Sequence, residues 1–228
     1  MEKMDKAERL KRAPAPKARI SPELAHRLPP GQTLTDRFPI LHEGDVPDYG
    51  DGSEWSLRVF GLVDGERTFS LDDLKAMPRA TVVCDIHCVT RWSKFDTAWE
   101  GVRFRDFLAA AGIRVRPEAR HVMIHADQDY ETNVPLEDLM RDDVLLAWGY
   151  DGKPLTPKHG WPLRLIVPHL YFWKSAKWVR GIEFMKEDRP GYWEQRGFHN
   201  YADPFREQRF SDESFEMPED EWMHKDYD

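Results

Sequence analysis

The densest run of reactive side chains is Cys84-Asp85-Ile86-His87-Cys88-Val89-Thr90-Arg91-Trp92, which holds both cysteines of the chain. Four chemistries compete for it. Structural zinc wants four ligands, usually as two spaced pairs. Cys84, His87 and Cys88 have no second cysteine pair to join, and only His121 and His125 remain as further donors. A thiol–disulfide switch needs the two Cα atoms within about 7 Å. This run is β-rich, and extended chain would hold them roughly 13 Å apart. Alternatively, a single thiolate ligates a heavier metal that an organic cofactor mainly holds. Nearby positive charge favours a thiolate, and Arg91 supplies it. The plainest alternative is that both cysteines are small buried hydrophobes.

A second cluster is His159-Gly160-Trp161-Pro162-Leu163-Arg164, followed by Pro168 and then Lys174-Ser175-Ala176-Lys177-Trp178. It gathers His159, Arg164, Lys174 and Lys177 around one short strand and loop, in a chain of net charge -8. Arginine can hold a phosphate through two parallel bonds, and a serine hydroxyl with backbone N–H groups can complete the cradle. A strand edge guarded by lysines would carry the same residues.

These clusters need a folded scaffold. The chain has 228 residues, is 40% hydrophobic and 12% aromatic, and carries nine Trp. Disordered chains rarely have that aromatic load. The negative balance argues against duplex nucleic acid or an anionic membrane as partner, because both reward basic surfaces. No apolar run is long enough for a transmembrane helix. The first twenty residues have no apolar export core and no twin-arginine pair, so the expected compartment is the cytoplasm. The G-x-G-x-x-G, Walker A, G-x-S-x-G and H-E-x-x-H motifs do not occur, so their chemistries have no support.

The pattern predicts an α+β fold: a mixed β-sheet with short peripheral helices. Strands are expected at 55–63, 81–88, 120–126, 144–148, 163–167 and 177–185. Ser70 and Asp73 read as a capping box opening a short helix that Pro78 closes. A helix over 105–111 should stop at Gly112, and another is expected at 135–140. The β runs do not alternate with long helices, which argues against a doubly wound parallel sheet. Residues 1–35 read as a flexible basic tail, with seven Lys/Arg against three Asp/Glu through Arg19. Residues 36–202 read as one domain and 203–228 as an acidic tail, with eight acidic residues and one Lys after Ser211.

Several segments, in their order and spacing, resemble the sulfite oxidase-type molybdopterin-binding oxidoreductases. The resemblance covers roughly 38–185, and is to the compact bacterial members and to the catalytic subunit of the periplasmic methionine-sulfoxide reductase. Cys88-Val89-Thr90-Arg91-Trp92-Ser93 is similar to the cysteine loop of that reductase. Trp99-Glu100-Gly101-Val102 resembles the W-x-G-v segment. Gly152-Lys153-Pro154-Leu155 with His159-Gly160-Trp161-Pro162-Leu163-Arg164 and Pro168 resembles the family's G-x-P-L-x-x-x-H-G-x-P-x-R run. Ser175-Ala176-Lys177-Trp178-Val179 resembles its S-x-K-W-v end.

The resemblance implies a molybdenum–molybdopterin enzyme with Cys88 as the thiolate ligand of the metal. Arg164 and Ser175 to Lys177 would hold the pterin phosphate, with His159 nearby in the cofactor site, and His42 would touch the pterin. Tyr130 falls where sulfite oxidases present an active-site tyrosine, although an ordinary strand aromatic would also suit that place. Arg91 is a candidate for facing the substrate, by charge alone.

The sequence departs from sulfite oxidases after the cysteine. There Arg91-Trp92-Ser93 replaces an Asn and paired arginines, which puts a sulfite pocket in doubt. The implied activity moves an oxygen atom to or from a small sulfur- or nitrogen-containing substrate, the oxo donor or acceptor. No haem attachment motif and no Fe–S cysteine set is present, so a separate electron-transfer partner is expected. The chain after Met185 is short for a second, dimerising domain, so a monomer is expected. A non-catalytic molybdopterin-binding module, or a zinc-binding one, is the alternative.

Overall fold

The computed structural model describes residues 21–211. Eleven strands among these residues form two sheets. The first contains β1 (Thr33–Leu34), β4 (Ala80–His87), β5 (Trp92–Arg103), β8 (Leu145–Tyr150), β9 (Lys153–Pro154) and β10 (Arg164–Ile166). Its path runs β1-β5-β8-β10, with β4 on β5 and β9 on β8. The second runs β3 (Arg67–Ser70), β2 (Ser56–Gly61), β11 (Val179–Met185), β6 (His121–Ala126) and β7 (Glu131–Pro135). Most pairings are antiparallel; β1 on β5 and β11 on β2 are parallel. Three short helices, α1 (Leu71–Lys75), α2 (Phe104–Ala110) and α3 (Leu136–Leu139), sit at the periphery. This is the expected α+β class with mixed sheets.

Local sequence explains many of these boundaries. Ser70 and Asp73 close a reciprocal capping box at α1, each satisfying an N–H that the helix leaves open. Asp151-Gly152 turns β8 into β9, both residues at positive φ. At Gly101 the strands β5 and β8 come so close that a Cβ would collide with the Leu146 carbonyl, so no side chain fits there.

The alternation of β8 and β10 divides the core in two. Leu146 and Leu165 face one cluster, with Trp55, Phe104, Ile182 and Phe184, between the sheets. Their neighbours Leu145, Ala147 and Ile166 face the opposite side, with Trp99, Tyr171 and Phe172. That outer side of the first sheet also receives Cys88.

Both expected tail boundaries shift outward. Pro22–Arg27 forms a 3-10 turn, and Arg27 bridges Asp85 and Asp96 at 2.6 Å each. Thr33–Leu34 pairs with Trp92 and Ser93. At the other end Phe198 bridges Phe210, and Arg209 is buried. Backbone pairing and a buried arginine leave no trace in composition, so both segments read as tails. Residues 1–20 and 212–228, which carry most of the expected tails, lie outside the described residues.

Candidate functional site

Cys88 opens the tight turn Cys88–Arg91 that joins β4 to β5. Its N–H donates to the Trp92 carbonyl at 2.8 Å, and the Arg91 N–H returns to the Cys88 carbonyl at 3.1 Å. Arg91 takes φ 72°, a costly conformation for a side chain with a Cβ. The Cys88 sulfur accepts a hydrogen bond from the Thr90 hydroxyl at 3.1 Å. Burial pushes the thiol up, while the Thr90 bonds and the charges of Arg209 and Arg164 oppose that.

The second cluster comes alongside through β10. Leu165 N–H donates to Ala176 O and Val179 N–H to Leu163 O, at 2.9 and 3.0 Å, so the chain after residue 174 runs back along β10. Val167 N–H donates to Ser175 Oγ at 2.9 Å, which leaves the Ser175 hydroxyl proton for an outside acceptor. A single cavity is lined by Cys88, Arg164, Ser175, Lys177, His42 and Tyr130. The two distant clusters therefore form one site.

Arg164 is the most demanding group in it. It is 2% exposed, donates to His159 O at 3.1 Å, and stacks over Phe172 at 4.1 Å. Its buried Nε has no partner, and no carboxylate forms an ion pair with it among the described residues. Burial pulls its pKa down to about 9, so the guanidinium remains charged at neutral pH and poorly solvated. Buried charges are normally paired; this one points to an anionic ligand. A pterin phosphate would satisfy it, with Ser175 and Lys177 beside it and one soft thiolate for a metal. The residues present therefore fit the group that the sequence resemblance implies.

His159 lies behind this site, outside the cavity lining. Its Nδ1 shares a hydrogen bond with the Thr156 hydroxyl at 2.8 Å, and its ring lies 4.4 Å from that of Phe38. Burial, then the charges of Arg164 and Lys177, pull its pKa from 6.5 down to about 4. The unfolded ring gains a proton near pH 6.5 and the folded ring only near 4. Stability from the neutral ring is therefore complete above pH 6.5 and lost as pH falls to 4, by at most about 3 kcal/mol at ~1.36 kcal/mol per unit. Urea unfolding of His159→Gln across that window should show a flatter loss than wild type. An equal slope would contradict the buried neutral ring.

His42 lines the cavity, its Nδ1 donating to Gly44 O at 3.0 Å and its ring meeting Trp178 edge-on. Tyr130 lines the cavity, and its hydroxyl donates to the Trp173 carbonyl at 2.6 Å. Burial, then Glu194 and Glu43, hold the phenol well above its usual range. It is a neutral donor at physiological pH.

Two expected residues point elsewhere. Arg91 is exposed and absent from the cavity lining; its Nη1 approaches Gly31 instead. Lys174, placed in the cationic cluster by its sequence neighbours, is fully buried against Glu194 at 2.6 Å. Among the described residues no three His, Cys, Asp or Glu side chains converge to hold a metal. His121 and His125 sit on β6 in the second sheet, so the zinc arrangement lacks its remaining donors. Both cysteines are free thiols.

Sequence reasoning missed the aromatic wall of the cavity: Phe38, Trp92, Phe172, Trp173, Trp193 and Phe198. Trp193 stacks on Phe198 at 4.7 Å, and Phe198 meets Trp173 edge-on at 4.9 Å. The aromatic-rich stretch after Gly191 packs over the core, but no local signal aims it at Cys88.

Comparison with known proteins agrees with this geometry. A family model described as the oxidoreductase molybdopterin binding domain matches residues 43–193. An uncharacterized oxidoreductase of Bacillus subtilis (strain 168) is 52% identical over 185 residues, 81% of this chain and 92% of that protein. A putative protein-methionine-sulfoxide reductase subunit of Azospira oryzae is 30% identical over 172 residues, 75% of this chain and 64% of that one. The mitochondrial sulfite oxidase of Rattus norvegicus is 29% identical over 208 residues, 76% of this chain but 38% of the enzyme. With the motifs, the fold and the cavity in agreement, the chain belongs to the molybdopterin-binding oxidoreductases of the sulfite oxidase type.

Proposed function

We propose that this protein is a molybdenum enzyme that transfers an oxygen atom to or from a small uncharged sulfur or nitrogen compound, such as a sulfoxide or an N-oxide. The observation that carries the cofactor is Arg164, a buried guanidinium with no carboxylate paired to it among the described residues, in one cavity with the Cys88 thiol. Cys88 would ligate the metal, Arg164, Ser175 and Lys177 would hold the phosphate, His42 would flank the pterin, and the His159 carbonyl would hold Arg164 from behind. When bound, molybdenum supplies two-electron oxygen-atom chemistry; a separate carrier would exchange the electrons.

The cavity wall supports the uncharged substrate. Among the described residues Arg164 is the single arginine lining it, with Lys177 beside it, and the proposal commits both charges to the phosphate. Arg91 faces away, and aromatic rings take up much of the remaining wall. Such a wall favours a compound with apolar substituents over a dianion, which would lose its hydration without gaining a paired charge. Tyr130 provides a neutral O–H at the wall. It can turn from the Trp173 carbonyl to a polar oxygen on the substrate, and it keeps its proton at neutral pH. The Trp173, Trp193 and Phe198 rings exclude water from that side.

Molybdenum content tests the cofactor assignment. Arg164→Ala should cut molybdenum per chain about tenfold or more after purification, since charge-assisted bonds to a phosphate contribute about 1.5–3 kcal/mol each. Unchanged occupancy would contradict the role of Arg164. A dye-linked screen of sulfoxides, N-oxides and sulfite tests the substrate class. Sulfite oxidation as the fastest reaction would contradict it.

A further inference from the structure

Three hydrogen bonds reach the cysteine turn from outside the stretch that the family model matches. Gln32 Nε2 donates to the Cys88 carbonyl at 2.9 Å. Thr33 N–H donates to the Arg91 carbonyl at 2.9 Å. Arg209 Nη1 donates to the Val89 carbonyl at 2.7 Å. Three of the four carbonyls of the turn Cys88–Arg91 are thus held by the flanking segments. Arg209 also ties those segments together, because its Nη2 donates to the Pro30 carbonyl at 3.2 Å.

These contacts are built in. Gln32 is 8% and Arg209 5% exposed. Arg209 lies over the Tyr171 ring at 5.0 Å, and Glu207 approaches its Nε at 3.6 Å. Between Pro30 and Gln32 stands Gly31 at φ 66°, where a Cβ would come 2.6 Å from a Glu207 oxygen and 3.0 Å from Arg91 Nη1. The left-handed φ there favours glycine, and the ends of the Glu207 and Arg91 side chains close over it. Burying a guanidinium is costly unless its bonds are made, and here one ends on the Val89 carbonyl of the turn and another on the Pro30 carbonyl of the opposite flanking segment.

We propose that Gln32 and Arg209 are positioning residues: the two flanking segments form a clasp that holds the Cys88 turn in the geometry its sulfur needs as a metal ligand. The proposal rests on Cys88 being that ligand. Thr90 orients the sulfur from inside the turn, and the clasp fixes the turn from outside. Groups that orient a ligand without touching the metal commonly set its affinity and electronic properties.

The test uses the loaded full chain as wild type, Gln32→Leu, Arg209→Met and Arg209→Lys. One readout is the sulfur-to-metal charge-transfer absorption. The other is hydrogen exchange at the Cys88 and Arg91 amides. Gln32→Leu and Arg209→Met should speed exchange at these amides about tenfold, the loss of one hydrogen bond, and displace the absorption band. Arg209→Lys, which can still donate to Val89 O, should stay closer to wild type in both. If both readouts match wild type, there is no clasp. If exchange accelerates and the band stays, the clasp exists but does not position the ligand, and the proposal also fails. Should Arg209→Met not fold, Gln32→Leu decides between these outcomes, because it removes a single neutral bond. A charge-transfer spectrum in Cys88→Ser identical to that of wild type would refute the ligand assignment itself, since the pterin's own sulfurs would then account for all of it, and the exchange readout would still report on the clasp.

Discussion

Cys88→Ser should abolish the proposed oxygen-atom transfer, with kcat falling at least about 10³-fold, or ~4 kcal/mol on the barrier, while thermal stability should change little. The direction follows from the site. The sulfur faces the cavity and accepts one hydrogen bond, from Thr90. A serine hydroxyl occupies similar space and can accept the same bond, so packing is preserved. A hydroxyl is a far poorer ligand for a soft metal than a thiolate. The contrast with Cys84 sharpens the prediction. Burial pushes the Cys84 thiol up to about 12, and its sulfur lies 3.7 Å from the Thr97 hydroxyl, outside the cavity lining. Cys84→Ser should therefore keep near-wild-type activity. Dye-linked turnover of both variants, normalised to molybdenum content, checks this. Comparable losses in the two would contradict the assignment of Cys88.

The second large effect falls on stability. Lys174 is fully buried, its Nζ 2.6 Å from Glu194 Oε1 and within 2.8 and 3.0 Å of the carbonyl and side-chain oxygens of Asn133. Glu194 Oε1 also accepts from Trp173 Nε1 at 2.9 Å. Removing one partner of a buried pair leaves the other charge unmatched, at a cost of about 3–5 kcal/mol. Lys174→Met or Glu194→Gln should lower the melting temperature by roughly 10 °C, at ~2–4 °C per kcal/mol for a chain of this size. The double variant Lys174→Met/Glu194→Gln should lose much less than the sum, because neither charge is then stranded. Strict additivity in calorimetry would contradict the pairing. Glu194 also holds Trp173, which lies in the cavity wall, so each single variant should raise KM as well.

The separate pieces of this site were legible because they are contiguous in sequence. The cysteine turn, the His159–Arg164 run and the Ser175–Lys177 end each carry their residue types within a few positions. Most strands showed too, since Val, Ile and aromatic runs sit between clear turn signals. β5 did not, because Asp96 at φ 54° and Gly101 read as breaks inside one twelve-residue strand. β7 was hidden as well: it is five residues long and ends on a proline. Arg91 misled because spacing gives proximity along the chain, whereas its positive φ sends the side chain out of the cavity. Lys174 misled similarly; its partner Glu194 lies far along the chain, beyond β11. Gln32 and Arg209 were unreadable, since their bonds go to backbone carbonyls, which no residue type advertises. The aromatic wall is assembled from segments between Phe38 and Phe198, and only the fold brings them together.

The central claim is that the cavity around Cys88 and Arg164 holds a molybdenum–pterin group. Elemental analysis with pterin release, on protein produced in a host that makes the cofactor, tests it most directly. The account predicts one molybdenum and one pterin per chain, with a strong loss of both in Arg164→Ala. Stoichiometric zinc without molybdenum or pterin would contradict it.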